Sequence, residues 1–126
     1  MEIERFDHIV LTVKNIDKTV QFYTDILGMN VITFGDNRKA LTFGNQKINL
    51  HEKGKENEPK AKVPTCGSGD ICIISKTQIE SVKSELEKKG IKIIEGIVSR
   101  TGAIGKILSI YLRDPDENLI EISNYE

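Results

Sequence analysis

Residues 6–13 alternate in character: Ile9, Leu11 and Val13 fall on one side of an extended chain, and Phe6, His8, Val10 and Thr12 on the other. A period of two is the pattern of a strand with one face buried. The period then changes. Ile16, Val20, Tyr23 and Leu27 recur at helical spacing, with Asn15 where an N-cap belongs and Gly28 where a helix stops. Three short β runs follow, Val31–Phe34, Ala40–Phe43 and Lys47–His51, punctuated by Gly35-Asp36-Asn37 and Gly44-Asn45-Gln46.

Residues 53–69 are charged, contain Pro59 and Pro64 and have no period, so they read as a linker over the surface. After them the order begins again. Asp70–Ser75 reads as a strand, and Thr77 and Glu80 form a T-x-x-E capping box for a helix buried along Ile79, Val82 and Leu86 and ended by Gly90. Ile91–Ile94, Ile107–Arg113 and Asn118–Ser123 are three further predicted strands, the last two joined by the tight turn Asp114-Pro115-Asp116-Glu117. His8 and Asp70 are 62 positions apart, as are Gly28 and Gly90, which points to an internal repeat. The predicted fold is α+β: one domain, residues 1–126, of two βαβββ modules (about 4–52 and 70–124) joined by the linker 53–69. The modules form a curved eight-stranded sheet around a cavity, each packing its helix against the apolar strand face.

The opposite strand faces look into the cavity, and the period-two rule says which residues they carry. These are His8, Val10 and Thr12; Asn49 and His51; Asp70, Cys72 and Ile74; Ser109, Tyr111 and Arg113; and Leu119, Glu121 and Ser123. Glu121 interrupts the apolar run Leu119-Ile120-Glu121-Ile122 in mid-strand. A buried carboxylate is costly unless paired or bound to a cation. Three readings stand open: a salt bridge to Arg113 or Lys47, a metal ligand, or a catalytic base. His8 is either an ordinary hydrogen-bonded strand histidine or a ligand. His51, at a strand end beside Glu52 and Lys53, is either solvent-exposed or a ligand, and Asp70, after Gly67-Ser68-Gly69, either caps a turn or ligates.

Composition narrows the partners. A net charge of −1 gives no broad positive field, so nucleic acid is not expected. No apolar run is long enough to cross a bilayer, and Met1-Glu2-Ile3-Glu4-Arg5 lacks a signal-peptide pattern, so a cytoplasmic location is expected. The two cysteines, Cys66 and Cys72, lack a CxxC spacing, which argues against a zinc-thiolate site, and Cys72 reads as a buried free thiol.

Three stretches carry a family resemblance: Phe6-Asp7-His8-Ile9-Val10-Leu11, Phe22-Tyr23-Thr24-Asp25-Ile26-Leu27-Gly28-Met29, and Arg113-Asp114-Pro115-Asp116-Glu117-Asn118-Leu119-Ile120-Glu121. In that order they resemble the vicinal oxygen chelate superfamily of glyoxalase I, fosfomycin-resistance enzymes, bleomycin-resistance proteins and extradiol dioxygenases. Lys47-Ile48-Asn49-Leu50-His51, Gly69-Asp70-Ile71-Cys72-Ile73 and Arg100-Thr101-Gly102-Ala103 are similar, more narrowly, to glyoxalase-domain-containing proteins. The resemblance implies a divalent metal ion (Zn, Ni, Mn or Fe) held by His8 and Glu121 with help from Asp70 or His51. It implies Glu121 as the proton-moving catalytic carboxylate, and Tyr111, Arg113, Asn49 and Arg100 as substrate-binding residues. A flexible Gly96–Gly105 stretch carrying Arg100 is expected to close over the site. Asp70 stands where the family typically has a histidine, and Asn49 where glyoxalase I-like members have a glutamate. The set lacks the two-histidine, one-carboxylate triad of ferrous dioxygenases. The implied activity is a metal-dependent lyase or isomerase, similar to lactoylglutathione lyase, that polarises vicinal oxygens of a small-molecule substrate. The alternative is a non-catalytic protein that binds or sequesters a small molecule, as in bleomycin resistance. Family members often pair as homodimers.

Overall fold

The chain alternates strands and helices twice, and the computed structural model, which describes all 126 residues, shows the same architecture in both passes. The elements are β1 (His8–Val13), α1 (Ile16–Asp25), β2 (Asn30–Phe34), β3 (Arg38–Phe43), β4 (Gln46–Glu52), β5 (Asp70–Ile74), α2 (Ile79–Lys88), β6 (Glu95–Thr101), β7 (Lys106–Arg113) and β8 (Leu119–Tyr125). They divide into two units, Met1–Cys66 and Gly67–Glu126. Each unit holds one four-stranded sheet, ordered β1-β4-β3-β2 in the first and β5-β8-β7-β6 in the second. In each, the first strand pairs in parallel with the last, and the other pairs are antiparallel. The predicted repeat is therefore present, and the eight strands form two four-stranded sheets.

In the first unit Leu11, Val13, Ile48 and Leu50 are buried together with Tyr23 of α1. Tyr23 and Thr19 are the buried residues of that helix, while Ile16, Val20 and Leu27 are half-buried. Asn15 caps α1 as expected, its side chain accepting from the Lys18 amide at 2.9 Å. In the second unit α2 buries Ile79, Val82 and Leu86, the predicted stripe, and the sheet buries Ile107, Ile110, Leu112, Ile120 and Ile122. Neither helix is long and apolar enough to cross a membrane.

Two local expectations are corrected. The Thr77/Glu80 capping box does not form: Gln78 is the N-cap, without a side-chain cap bond. Asn124 does that work from the far end of the chain. Its Oδ1 accepts from Ile79 N at 2.6 Å, and its Nδ2 donates to Ser75 O and Thr77 O, both at 3.0 Å. Nor is Ile91–Ile94 a strand. Ile91 N closes the end of α2 on Leu86 O at 3.0 Å, and the ladder with β7 begins at Glu95. The predicted mobile stretch from Gly96 is thus largely strand β6, whose register shifts between Gly96 and Val98. A side chain at Gly96 would place its Cβ 2.5 Å from Ser109 O, so only glycine fits there.

Parallel strands have no hairpin to fix their register. In the second unit a buried polar turn does so. Asp114 Oδ1 accepts from the amides of Asp116 and Asn118 (both 2.9 Å), and its Oδ2 accepts from Asn118 Nδ2 at 2.8 Å. Asn118 Oδ1 in turn accepts from Gly69 N at 2.7 Å, immediately before β5, and Leu119 N donates to Gly69 O at 2.9 Å. Replacing Asn118 with alanine removes the side chain that donates to the buried Asp114 carboxylate and accepts from the half-buried Gly69 amide. We expect Asn118→Ala to cost about 3 kcal/mol, read as a lowered urea midpoint with an unchanged slope.

Candidate functional site

The polar face of the second sheet follows from alternation: Ser109, Tyr111 and Arg113 on β7 and Glu121 and Ser123 on β8 lie opposite the buried Ile110, Leu112, Ile120 and Ile122. Tyr111, Arg113 and Glu121 line an open cleft of about 440 Å³ with Asp70, Ile94, Glu95, Arg100 and Leu119, while Ser109 and Ser123 are buried beneath it. Five residues singled out from the sequence, Asp70, Arg100, Tyr111, Arg113 and Glu121, therefore share one cleft.

Glu121 is half-buried and makes no salt bridge with Arg113. Its charge is met by hydroxyls instead. Ser109 Oγ donates to Glu121 Oε2 at 2.6 Å and Ser123 Oγ to the same oxygen at 3.4 Å, while the two hydroxyls lie 2.7 Å apart. Neither serine reaches Oε1. Arg113 donates only to Glu117 O, at 3.4 Å, and so brings a cation without a carboxylate partner to the cleft. Arg100 is more occupied than its sequence role suggests. It donates from Nε to Tyr111 Oη (3.1 Å), from Nη2 to Glu95 (3.1 Å) and from Nη1 to Ser99 O (3.0 Å). It thus positions Tyr111. Burial first, and Glu121 beside it, push the Tyr111 phenol above its ordinary pKa against the pull of Arg100, so it remains a proton donor at neutral pH.

Cys72 corrects the expectation of a buried residue: it is exposed overall. Its sulfur nevertheless lies 3.4 Å from Ser123 Oγ. Burial of the thiol pushes its pKa up, the Ser123 hydrogen bond opposes this, and the Glu121 charge adds to it.

In the first unit, His8 is exposed and its Nδ1 lies 2.8 Å from Asp7 Oδ2. With a neutral ring that contact puts the proton on Nδ1 and leaves Nε2 as the free lone pair, an arrangement common for histidine ligands. The hydrogen bond holds the Asp7 carboxyl below its usual range. His51 is not the exposed strand-end residue that its charged neighbours suggested, for it is only 4% exposed. The segment after β4 supplies nearby charges, Glu56, Glu58 and Lys60, and Arg38 Nη2 donates to His51 Nε2 at 3.5 Å. Burial pushes the imidazole below its ordinary pKa, and the Arg38 cation adds to this. The Nε2 of His51 is therefore engaged by a guanidinium. His8 and His51 also lie far apart on their strands, since His8 pairs with Lys47 and His51 with Thr12. Asn49 is buried between them, 5% exposed.

The remaining donors suit a divalent ion in kind. His8 presents an oriented imidazole nitrogen, and the second unit presents two carboxylates, Asp70 and Glu121, on the adjacent strands β5 and β8. No group of three or more His, Cys, Asp or Glu side chains comes together in a geometry that could hold a metal. Sequence reasoning placed Ser109 and Ser123 on the right face but missed that they fix Glu121. Their i−12 and i+2 placement about Glu121 becomes visible only with the β7–β8 register. It missed Glu95 and Arg38 altogether.

A βαβββ unit repeated twice, with a carboxylate in mid-strand on the polar face of the second sheet, defines a glyoxalase-type fold. The family model of the Glyoxalase/Bleomycin resistance protein/Dioxygenase superfamily matches residues 5–122, and the chain belongs to that family. Among individual proteins, it is 58% identical to the Virulence protein STM3117 of Salmonella typhimurium over 99% of this chain and 87% of that protein. The crystal structure of that protein superposes with a TM-score of 0.99 over the whole of both chains. The Glyoxalase domain-containing protein RDO1 of Mycosarcoma maydis is 55% identical over 100% of this chain and 71% of its own length. More distantly, the Metallothiol transferase FosB of Staphylococcus epidermidis is 28% identical over 95% of this chain and 83% of that protein.

The Glu121 charge bears on a measurable reactivity. In Glu121→Gln the thiol of Cys72 loses a neighbouring anion, and its alkylation by iodoacetamide at mildly alkaline pH should quicken several-fold, followed by mass spectrometry. An unchanged rate would show that Glu121 does not act on the thiol.

Proposed function

We propose that the protein is a metal-dependent small-molecule enzyme of the glyoxalase type, with lyase or isomerase chemistry, in which Glu121 moves the proton. The observation that carries this reading is the fixing of Glu121 through one oxygen by Ser109 and Ser123 inside a cleft that also holds Asp70, Tyr111 and Arg113. A carboxylate held this way needs no reorientation to accept or return a proton at a substrate carbon. Tyr111, neutral and steadied by Arg100, donates to a substrate oxygen. Arg113 orients an anionic group, since no protein carboxylate competes for it. Asp70 and Glu121 of the cleft would be donors to a divalent ion (Zn, Ni, Mn or Fe), and His8, with its oriented Nε2, keeps the donor role that the family resemblance gives it. When bound, the ion supplies Lewis acidity that polarises neighbouring substrate oxygens. The family membership and the name of the FosB relative support the metal.

A second reading, capture of a small molecule without turnover, is favoured by one observation: three metal-binding side chains do not gather in the structure. Elemental analysis of protein purified without chelator separates the two. On the enzyme reading a divalent ion copurifies, and His8→Ala and Glu121→Ala each lose it, with dicarbonyl or thiol-adduct turnover falling by a factor of roughly a hundred or more. Metal-free protein whose ligand binding is unchanged in a His8→Ala/Glu121→Ala variant overturns the enzyme reading. Recovery of an unaltered ligand supports capture.

A further inference from the structure

Arg100 and Arg113 are the two cations of the second unit's cleft, and they differ in what they are free to do. Arg100 is engaged three times over, by Tyr111 Oη, Glu95 and Ser99 O. Arg113 makes one long bond, from Nη1 to Glu117 O at 3.4 Å, and its other N–H groups have no protein partner. It is exposed on the wall of an open cavity of about 440 Å³, so a solute reaches it directly. The other charges of the cleft are the carboxylates of Asp70, Glu95 and Glu121. Among the protein's own groups there, Arg113 is therefore where the negative charge of a ligand is met.

The surroundings of Arg113 are apolar. Leu119 pairs with it across the β7–β8 ladder, and side chains directly opposite each other on one sheet face lie about 4.5–5.5 Å apart. Ile94, just before β6, is tied by its amide to Tyr111 O at 2.8 Å, two residues from Arg113, and lines the same cleft. The aliphatic stem of an arginine can cover apolar neighbours of this kind. Ile94 is nevertheless 43% exposed, so the cover is incomplete and water wets an apolar wall beside an unpartnered guanidinium.

We propose that Arg113, Leu119 and Ile94 form a subsite for a small carboxylate with an aliphatic substituent. The carboxylate accepts from the Arg113 guanidinium, and the substituent lies against Leu119 and Ile94. The inference rests on the reading that this cleft takes a small-molecule substrate, and it names the class: an aliphatic acid rather than a wholly polar or an uncharged molecule. A carboxylate matches a guanidinium through two parallel N–H···O bonds, and the apolar group adds affinity by leaving water. Glu121 pairs with Tyr111 and Leu119 with Arg113, so Glu121 is a diagonal neighbour of Arg113, about 7–8 Å away between backbones. An acid held at Arg113 thus stands beside that carboxylate. All of these residues belong to the unit Gly67–Glu126, and the subsite needs nothing from the first unit.

The test uses the full chain with isotope-labelled isoleucine and leucine methyl groups, as purified and again in EDTA. Isovalerate, acetate and isovaleramide are titrated separately, and the Ile94 and Leu119 methyl resonances are followed by NMR. Saturable shifts with isovalerate are expected in at least one of the two conditions. Acetate, which lacks the aliphatic group, and isovaleramide, which lacks the charge, should each bind roughly tenfold more weakly. The variants should separate the two contributions. Arg113→Gln removes the preference for isovalerate over isovaleramide, whereas Ile94→Ser weakens isovalerate several-fold and leaves acetate unchanged. Both residues are exposed, so neither substitution opens the core. No saturable shift in either condition, three probes that bind alike, or discrimination that survives both variants overturns the proposal. Copurification of a divalent ion that depends on Glu121 is read separately: an ion retained without discrimination among the probes strikes out the substrate class alone and leaves the enzyme reading standing.

Discussion

The hydrogen bond from Gly69 N to Asn118 Oδ1 joins the start of β5 to the start of β8 across 49 positions of chain. It sets the register of a parallel pair that no turn connects. A slip of one residue there would send Asp70 and Glu121 to the helix side of the sheet and bring Ile71 and Ile120 to the cleft. The clamp is itself built from buried polar groups, with Asp114 holding Asn118 by both its backbone and its side chain. The Asp-Pro-Asp-Glu-Asn sequence is therefore a register device, and the chemistry of the cleft depends on it.

Much of this was legible beforehand because strand alternation is a strictly local rule. It placed Glu121, Tyr111, Arg113 and Asp70 on one face and Ile110, Leu112, Ile120 and Ile122 on the other, as observed. The repeat was legible too, from equal spacing of strand and helix-stop residues. What escaped was set by groups distant in sequence. The cap of α2 comes from Asn124, so the local Thr77/Glu80 pattern had no force. β6 is polar because it pairs with β7 alone at the end of its sheet, and sequence of that kind resembles a loop. His51 is buried beside a segment that has no period to announce a packing role.

The two units show how one topology accommodates opposite electrostatics. In the second, two serine hydroxyls donate to a carboxylate; in the first, a guanidinium donates to an imidazole on the neighbouring strand. The backbone ladders are the same, and side chains alone decide which charge each face accepts. This is the sense in which a fold shared with glyoxalases and resistance proteins does not specify a reaction.

The edge strand β6 has a further consequence. It is held by one ladder, carries Glu95 and Arg100, and through Arg100 steadies Tyr111. The carboxylate and its two serines lie on the inner strands, whose alteration would disturb the core. Selection can therefore rewrite the rim of the cleft at small cost to stability while Glu121 and its two serines stay in place. The lineage of such a protein would be expected to vary in what it binds sooner than in what it does.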